Sequence, residues 1–500
     1  MGLLLGIDLG SSAVKATLVR TGERGGIAAT RSAQNGLASP RPGWAEADPA
    51  EWWSNVCTII PALLAEAGAR ADDVLAVATT GMVPAVVCVD AAGSPLRSAI
   101  LQNDARATTE IDDLRAELSP LDLVALTGSA LTQQSVAPTL RWLERHEPEA
   151  FAATAAVVGG YDWLLARLGA GRHVEDNWAL ESGLYLLDGR PCAEVLAAAH
   201  WPAGRLVPVH RPGEVVGQMS TEAAARTGLR VGTPLVVGGA DHVLAAYAAG
   251  LRRPGQLLVK LGGAGDILAV ASGPVIDRRL YLDRHPAPGW FMPNGCMATS
   301  GTLLRWFQRE LAGGAGFDIL DAEAEQAGAG AGGLVCLPYL LGEKSPIHDA
   351  DARGVFLGLH LGHTRGHLFR ACLEATGYGF RQHLDVLDEI GIEVQDARVS
   401  NGGARSALWK QVVADICELR LRPVLDHPGA SLGAAVAAGI GVGVVAGWDA
   451  MHDLVQLGEA IEPTAEPAAR AAYARNYSVY RELWPAVSPL VHRLAREEAA

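Results

Sequence analysis

Positive charge is scarce in this chain: 41 Lys and Arg stand against 55 Asp and Glu, giving a formal net charge of -14 over 500 residues. A nucleic-acid backbone or an anionic membrane needs clustered cations, so neither is expected as the main partner. A single nucleotide is not excluded, because a local phosphate site needs only backbone N–H groups and a metal ion. Cysteine is also scarce. The seven present are odd in number and spread out, with no C-x-x-C pair or metal-ligand spacing, which reads as reduced thiols in a cytoplasmic protein. The apolar start Met1 to Leu5 is broken by Asp8 and followed by no cleavage site, so no export signal is expected, and Gly6 stands where a myristoylation signal needs Ser or Thr. The longest stretch without a charged side chain lies between Asp426 and Asp449, and it is rich in Gly and Ala. Those residues gain little from lipid, so a buried, closely packed helix is expected there. There is no G-x-x-x-x-G-K-[ST], and no G-x-G-x-x-G directly after an apolar strand, so neither common nucleotide fingerprint is supported.

What is present is enough apolar material to fold. Hydrophobic residues make up 49% and charged residues 19%, and the length exceeds what one core can organise, so two or more domains are expected. Strand-like runs at 74–80, 85–90, 155–160 and 234–241 alternate with amphipathic stretches near 107–118, 138–150 and 221–228. Beyond Arg252, helices are expected at 302–312, 365–390 and 405–417 around strands near 257–270, 396–400 and 418–424. This alternation predicts an α/β fold. The Arg-Arg-Pro-Gly turn at 252–255 divides the chain into expected domains 1–251 and 252–500. Leu9-Gly10 and Leu261-Gly262 sit in similar strand–turn–strand segments half a chain apart, which suggests a duplicated unit.

Three segments carry candidate chemistry. In Gly6-Ile7-Asp8-Leu9-Gly10-Ser11-Ser12, a hairpin with Gly10 at its turn brings backbone N–H groups and the Ser11 and Ser12 hydroxyls toward a phosphate. Asp8 could hold a metal and Lys15 could reach phosphate; an ordinary hairpin with a solvated lysine is the alternative. Gly238-Gly239-Ala240-Asp241-His242 follows an apolar strand, at the carboxyl end where α/β proteins place catalytic groups. There Asp241 is a candidate base, metal ligand or plain helix N-cap. In Asn401-Gly402-Gly403-Ala404-Arg405-Ser406 two glycines let a flat ring lie against backbone, or simply shape a strand-to-helix turn.

Taken in order, these pieces resemble the actin-like ATPases and, more narrowly, the FGGY family of carbohydrate kinases. Pro42 to Trp53, Asn103-Asp104-Ala105-Arg106, Tyr161-Asp162-Trp163-Leu164, Gly239-Ala240-Asp241, Gly342 to Gly354 and Gly402-Gly403-Ala404 match the family's segments over nearly the whole chain. The resemblance implies two ribonuclease-H-like domains around a central cleft, sugar held by the N-terminal one and ATP with Mg²⁺ mainly by the C-terminal one. It implies Asp241 as catalytic base, Asp8 and Asp241 at the metal, and Gly10, Ser11, Ser12, Lys15, Gly262, Gly263, Gly402, Gly403, Ala404 and Ser406 around the nucleotide. Met82, Val83, Asp104, Asp241 and His242 then face the sugar, and a homodimer is among the assemblies it allows. The implied activity is phosphorylation of a pentulose or related polyol, D-xylulose first. The chain departs from the pattern at Val83, where a histidine is usual, at Gln102, and at Gly263-Ala264, where Thr-Ser is usual. The rival readings are a switch or filament ATPase, which needs no sugar-facing base, and a pseudokinase, against which both Asp8 and Asp241 speak.

Overall fold

The computed structural model describes residues 2–22, 25–425, 428–449 and 454–498. Met1, at the apolar start, and Asp426, the charged flank of the Gly/Ala run, lie outside the described residues. By contacts the chain forms two compact units, Met1–Arg252 with Leu282–Phe291 and Asp426–Val455, and Arg253–Tyr281 with Met292–Leu425 and Gln456–Ala500.

In the first unit, β1 (Leu3–Leu9) and β2 (Ala13–Arg20) form a hairpin, and β3 (Gly26–Gln34) lies antiparallel to β2. On the other side of β1 come β4 (Val74–Gly81) and β6 (Pro234–Ala240), both parallel, and then β5 (Val215–Gln218), antiparallel to β6. The sheet order is therefore β5-β6-β4-β1-β2-β3. The three central parallel strands are covered on both faces, which is why LLLGIDL is an apolar run and not an alternating one. Helix α1 (Pro49–Glu66) starts where Asp48 accepts a hydrogen bond from the Ala50 N–H and Pro49 fixes the first turn.

The uncharged Gly/Ala run forms helix Ala430–Gly441, laid across β1. A Cβ at Gly6 would stand 1.9 Å from the Ser431 carbonyl oxygen, and one at Gly433 would stand 2.6 Å from the Leu244 carbonyl oxygen. Glycine in a helix costs about 1 kcal/mol against alanine; here it permits backbone-to-backbone packing that no larger residue allows. Among the described residues no helix is long and apolar enough to cross a membrane. The segment expected as one helix over 138–150 is divided into Val136–His146 and Pro148–Ala153. Pro148 has no N–H to continue the ladder and pushes Glu147 out of helical geometry.

In the second unit, β7 (Gln256–Leu261) and β8 (Gly265–Ala269) form a hairpin, and β9 (Phe291–Met297) lies antiparallel to β8. β10 (Asp396–Ser400) and β11 (Leu421–Leu425) follow in parallel beside β7, and β12 (Gln456–Leu457) closes antiparallel. Six of the seven strands of this sheet repeat the order and direction of the first, with β7 in the place of β1 and β10 in the place of β4; the seventh, Tyr281–Arg284, adds an edge beside β9. The duplication suggested by two Leu-Gly pairs is a duplication of topology. Helices α4 (Gly301–Glu310), α5 (Arg365–Glu389) and α6 (Ala407–Cys417) pack on this sheet through a core that includes Phe307, Phe369, Phe380 and Trp409.

Candidate active site

Register fixes the first group of residues. Leu9 pairs with Gly81 and Gly81 with Ala240, so β1, β4 and β6 end at one level. Asp8, Met82 and Asp241 therefore emerge at the same sheet edge, the carboxyl end where open α/β sheets bind ligands. Met82 and Val83 are buried, and the Met82 N–H donates to the Leu9 carbonyl at 3.2 Å. Gly238 bends β6 closely against β4, since a Cβ there would meet the Thr79 carbonyl oxygen at 2.0 Å.

The Asp8 carboxyl is strongly perturbed. Burial first, and then the charge of Asp241, push it up to about 7, while Lys15 pulls it the other way. Its Oδ1 is buried without a hydrogen-bond partner. An orphaned carboxylate oxygen beside a second acid fits a cation of the Mg²⁺ kind, which takes oxygen ligands. Lys15 Nζ donates to the Pro428 carbonyl at 3.2 Å, so its ammonium lies next to the start of the Gly/Ala helix. The β1–β2 turn is closed by Gly10 N–H on the Ala13 carbonyl at 3.0 Å, leaving the Ser11 and Ser12 side chains exposed.

Asp241 opens helix α3 (Asp241–Ala248), and its Oδ1 accepts from the His242 N–H at 2.6 Å. Three acids surround His242: Asp241, which the sequence marks, and Asp283 and Glu181, which it does not. His242 Nε2 is 2.7 Å from Asp283 Oδ2 and 3.9 Å from Glu181 Oε1, and Nδ1 is 3.5 Å from Asp241 Oδ1. Burial opposes charge on this imidazole, but Asp283, Asp241 and Glu181 outweigh it and hold it protonated, well above the ordinary range. Burial, and then Asp283, push the Glu181 carboxyl well above its usual range. Neither acid carries a sequence signal: Glu181 is the penultimate residue of helix α2 (Asp176–Ser182) and Asp283 lies 41 residues past His242, in a segment that folds back into the first unit.

Asp104 is buried in the first unit. Its carboxylate accepts from the Ala45 N–H at 2.6 Å and from Arg106 Nε and Nη2 at 2.8 and 2.7 Å. Arg106 also pairs with Glu46 at 2.7 Å and lies over the Trp44 ring at 3.9 Å. Asp104 is thus the anchor that ties the Trp44 segment to its neighbours.

The second unit contains a cavity of about 750 Å³ lined by Gly262, Gly263, Gly402, Gly403 and Ser406, together with Arg305, Phe317, Asp321, Asn401 and Trp409. The first five and Asn401 lie in segments marked by the sequence; Arg305, Phe317, Asp321 and Trp409 do not, being single residues on three helices. Gly403 lies flat on Trp409: a Cβ there would meet the indole at 2.2 Å. Ser406 Oγ donates to Asp321 Oδ2 at 2.7 Å and accepts from the Trp409 N–H at 3.0 Å, capping α6. Ala404 is not among the lining residues.

Acids at the ends of two of three neighbouring parallel strands, and a twin unit with a glycine-edged cavity, describe a nucleotide-dependent phosphotransferase of the actin-like ATPase fold. The N-terminal domain model of the FGGY family of carbohydrate kinases matches residues 3–248 and the C-terminal domain model matches residues 269–442. The chain belongs to that family. A xylulose kinase from Rhodospirillum rubrum of known structure is 44% identical, with a TM-score of 0.91 over 98% of this chain and 100% of that one. The xylulose kinase of Escherichia coli is 30% identical over 98% of this chain and 100% of its own length, and the L-xylulose/3-keto-L-gulonate kinase of the same organism is 31% identical over 96% of each. The chain is a sugar kinase that uses ATP, and the switch-ATPase and pseudokinase readings have no support among these relatives.

Proposed function

We propose that this kinase phosphorylates a hydroxyl of D-xylulose or a closely related pentulose, with Asp241 as general base. The observation that carries the proposal is the electrostatic coupling of Asp8 and Asp241 at one sheet edge, in a chain whose relatives include xylulose kinases along its whole length. In this reading residues 1–251 hold the sugar and residues 252–500 hold ATP. Mg²⁺, when bound, neutralises phosphate charge, and Asp8 with Asp241 would hold it. Asp241 takes the proton of the attacking hydroxyl, which is the one acid–base step the transfer needs. His242, fixed by Asp283, and Met82 and Val83 border the sugar; Gly10, Ser11, Ser12 and Lys15 face the phosphates from the β1–β2 turn. Gly262, Gly263, Gly402, Gly403 and Ser406 surround the nucleotide, with Ala404 behind them in the same turn. Asp104 supports the sugar side through the Trp44–Arg106 anchor. A cytoplasmic homodimer completes the proposal.

The test is ADP release with a panel of D-xylulose, L-xylulose, D-ribulose, xylitol, 3-keto-L-gulonate and glycerol. Turnover that rises at least tenfold with D-xylulose above the others is the expected result. Equal ADP release with and without every sugar would overturn the reading.

A further inference from the structure

The phosphate turn of the second unit poses a problem that the sequence raises and the structure sharpens. Gly262-Gly263-Ala264-Gly265 carries no side-chain hydroxyl, unlike the usual Thr-Ser of the family pattern. The adjacent helix start does not fill the gap with backbone donors. The N–H groups of Ser300 and Thr302 donate to the Gly263 carbonyl at 2.8 and 3.1 Å, and that of Gly301 donates to the Gly262 carbonyl at 2.8 Å. The first N–H groups of α4 are thus spent on the turn itself.

One turn further along α4, Arg305 lines the same cavity as Gly262 and Gly263. Its Nη2 lies 2.9 Å from where a Cβ on residue 263 would stand, and the Thr302 Oγ1 lies 3.2 Å from that point. Nη2 donates to Thr302 Oγ1 at 3.0 Å, so guanidinium and hydroxyl meet directly over the bare glycine. Arg305 is exposed, and among the described residues no carboxylate pairs with it, whereas Arg309 on the same helix pairs with Glu310. An arginine on a flexible stem, free of an acid and set over a glycine turn, offers the planar fork that phosphate oxygens accept from.

We propose that Arg305, together with the Thr302 hydroxyl, supplies the phosphate-binding donors that the hydroxyl-free turn at Gly262–Gly265 lacks. The proposal rests on the nucleotide reading of this cavity given above. Glycine at 263 leaves the guanidinium and hydroxyl uncrowded, since a Cβ there would stand 2.9 and 3.2 Å from them.

The experiment compares ADP and adenosine binding to the full-length protein by calorimetry, without sugar, for the wild type, Arg305→Ala, Arg305→Lys and Thr302→Val. A lost charge-assisted contact weakens binding about 10–100-fold. Arg305→Ala is therefore expected to raise the ADP Kd by that factor while adenosine stays within about twofold, with Arg305→Lys intermediate and Thr302→Val weaker by a few-fold. The ADP affinity of the wild type should also fall more steeply with added salt than that of Arg305→Ala. Melting temperatures without nucleotide should coincide, since Arg305 is exposed. Equal losses for ADP and adenosine would reduce Arg305 to a wall of the cavity, and unchanged ADP affinity would leave it a solvated surface residue; either overturns the inference alone. Failure of the wild type to bind ADP at all would overturn the nucleotide reading with it.

Discussion

Asp8→Asn separates the stability of the metal-free protein from the chemistry its site is built for. In the folded chain the Asp8 carboxyl is pushed up to about 7, chiefly by burial and then by Asp241. In the unfolded chain it returns to about 3.9. Between those values the folded state holds a proton that the unfolded state does not, so stability falls as pH rises from about 4 to about 7 and is level above that. The span is about three pH units at ~1.4 kcal/mol each, so the ionised carboxylate costs up to about 4 kcal/mol above pH 7. Asparagine never ionises and escapes that cost. Its amide must instead be satisfied where Asp8 Oδ1 has no partner, a loss of about 1–3 kcal/mol. The two terms cross. In EDTA and without nucleotide, the variant should be more stable than the wild type by about 1–3 kcal/mol at pH 8.5, and equal or less stable at pH 5. Denaturant melts across this range, in parallel on both proteins, give the difference directly. A difference that is the same at both pH values, or that favours the wild type increasingly toward pH 8.5, would refute the assigned cause. Adding Mg²⁺ with ADP at pH 8 should stabilise the wild type more than the variant, because a cation repays what the bare carboxylate costs.

Asp241→Asn keeps the helix start and most hydrogen bonding, so melting and sugar KM should hold while kcat falls about 10²–10⁴-fold; retention of more than about a tenth of the turnover would show that Asp241 is only a cap. Asp283→Asn removes the charge that holds His242 at 2.7 Å; the sugar KM should rise about tenfold or more with the ATP KM unchanged, and an unaltered sugar KM would detach this pair from the sugar. Gly403→Ala places a methyl 2.2 Å from the Trp409 ring; stability should drop by about 1–3 kcal/mol and the ATP KM should rise, while the sugar KM stays put.

Much of this was legible in the sequence because local chemistry announced it. Asp8 and Asp241 each follow an apolar strand and flank glycines, and Gly402-Gly403 interrupts a strand-to-helix junction; such patterns depend on neighbours in the chain. The repeated sheet was legible only as two Leu-Gly pairs, since topology is preserved where side chains are not. What stayed hidden depends on distant contacts. Asp283 reaches His242 from a segment that folds back into the first unit, Glu181 is the penultimate residue of a short helix, and Arg305 gains meaning only from the empty space above Gly263. Asp104 carries a motif that reads as sugar-side, and what the sequence does not show is that its oxygens accept from Ala45 and Arg106.

The helix that covers β1 has a bearing on how the chain is made. β1 is among the first segments to leave the ribosome, yet the backbone that fits against Gly6 arrives with Ser431 and Ala435. At translation speeds of about 5–20 residues per second, that interval is on the order of tens of seconds. During it the first sheet is an incomplete layer with an apolar face and a glycine notch open to whatever binds them. A chain released early, near residue 400, would hold every strand of that sheet and still lack its cover, so it should collect in chaperone complexes or inclusion bodies. Co-expression of residues 426–500 as a separate fragment should return part of it to solution.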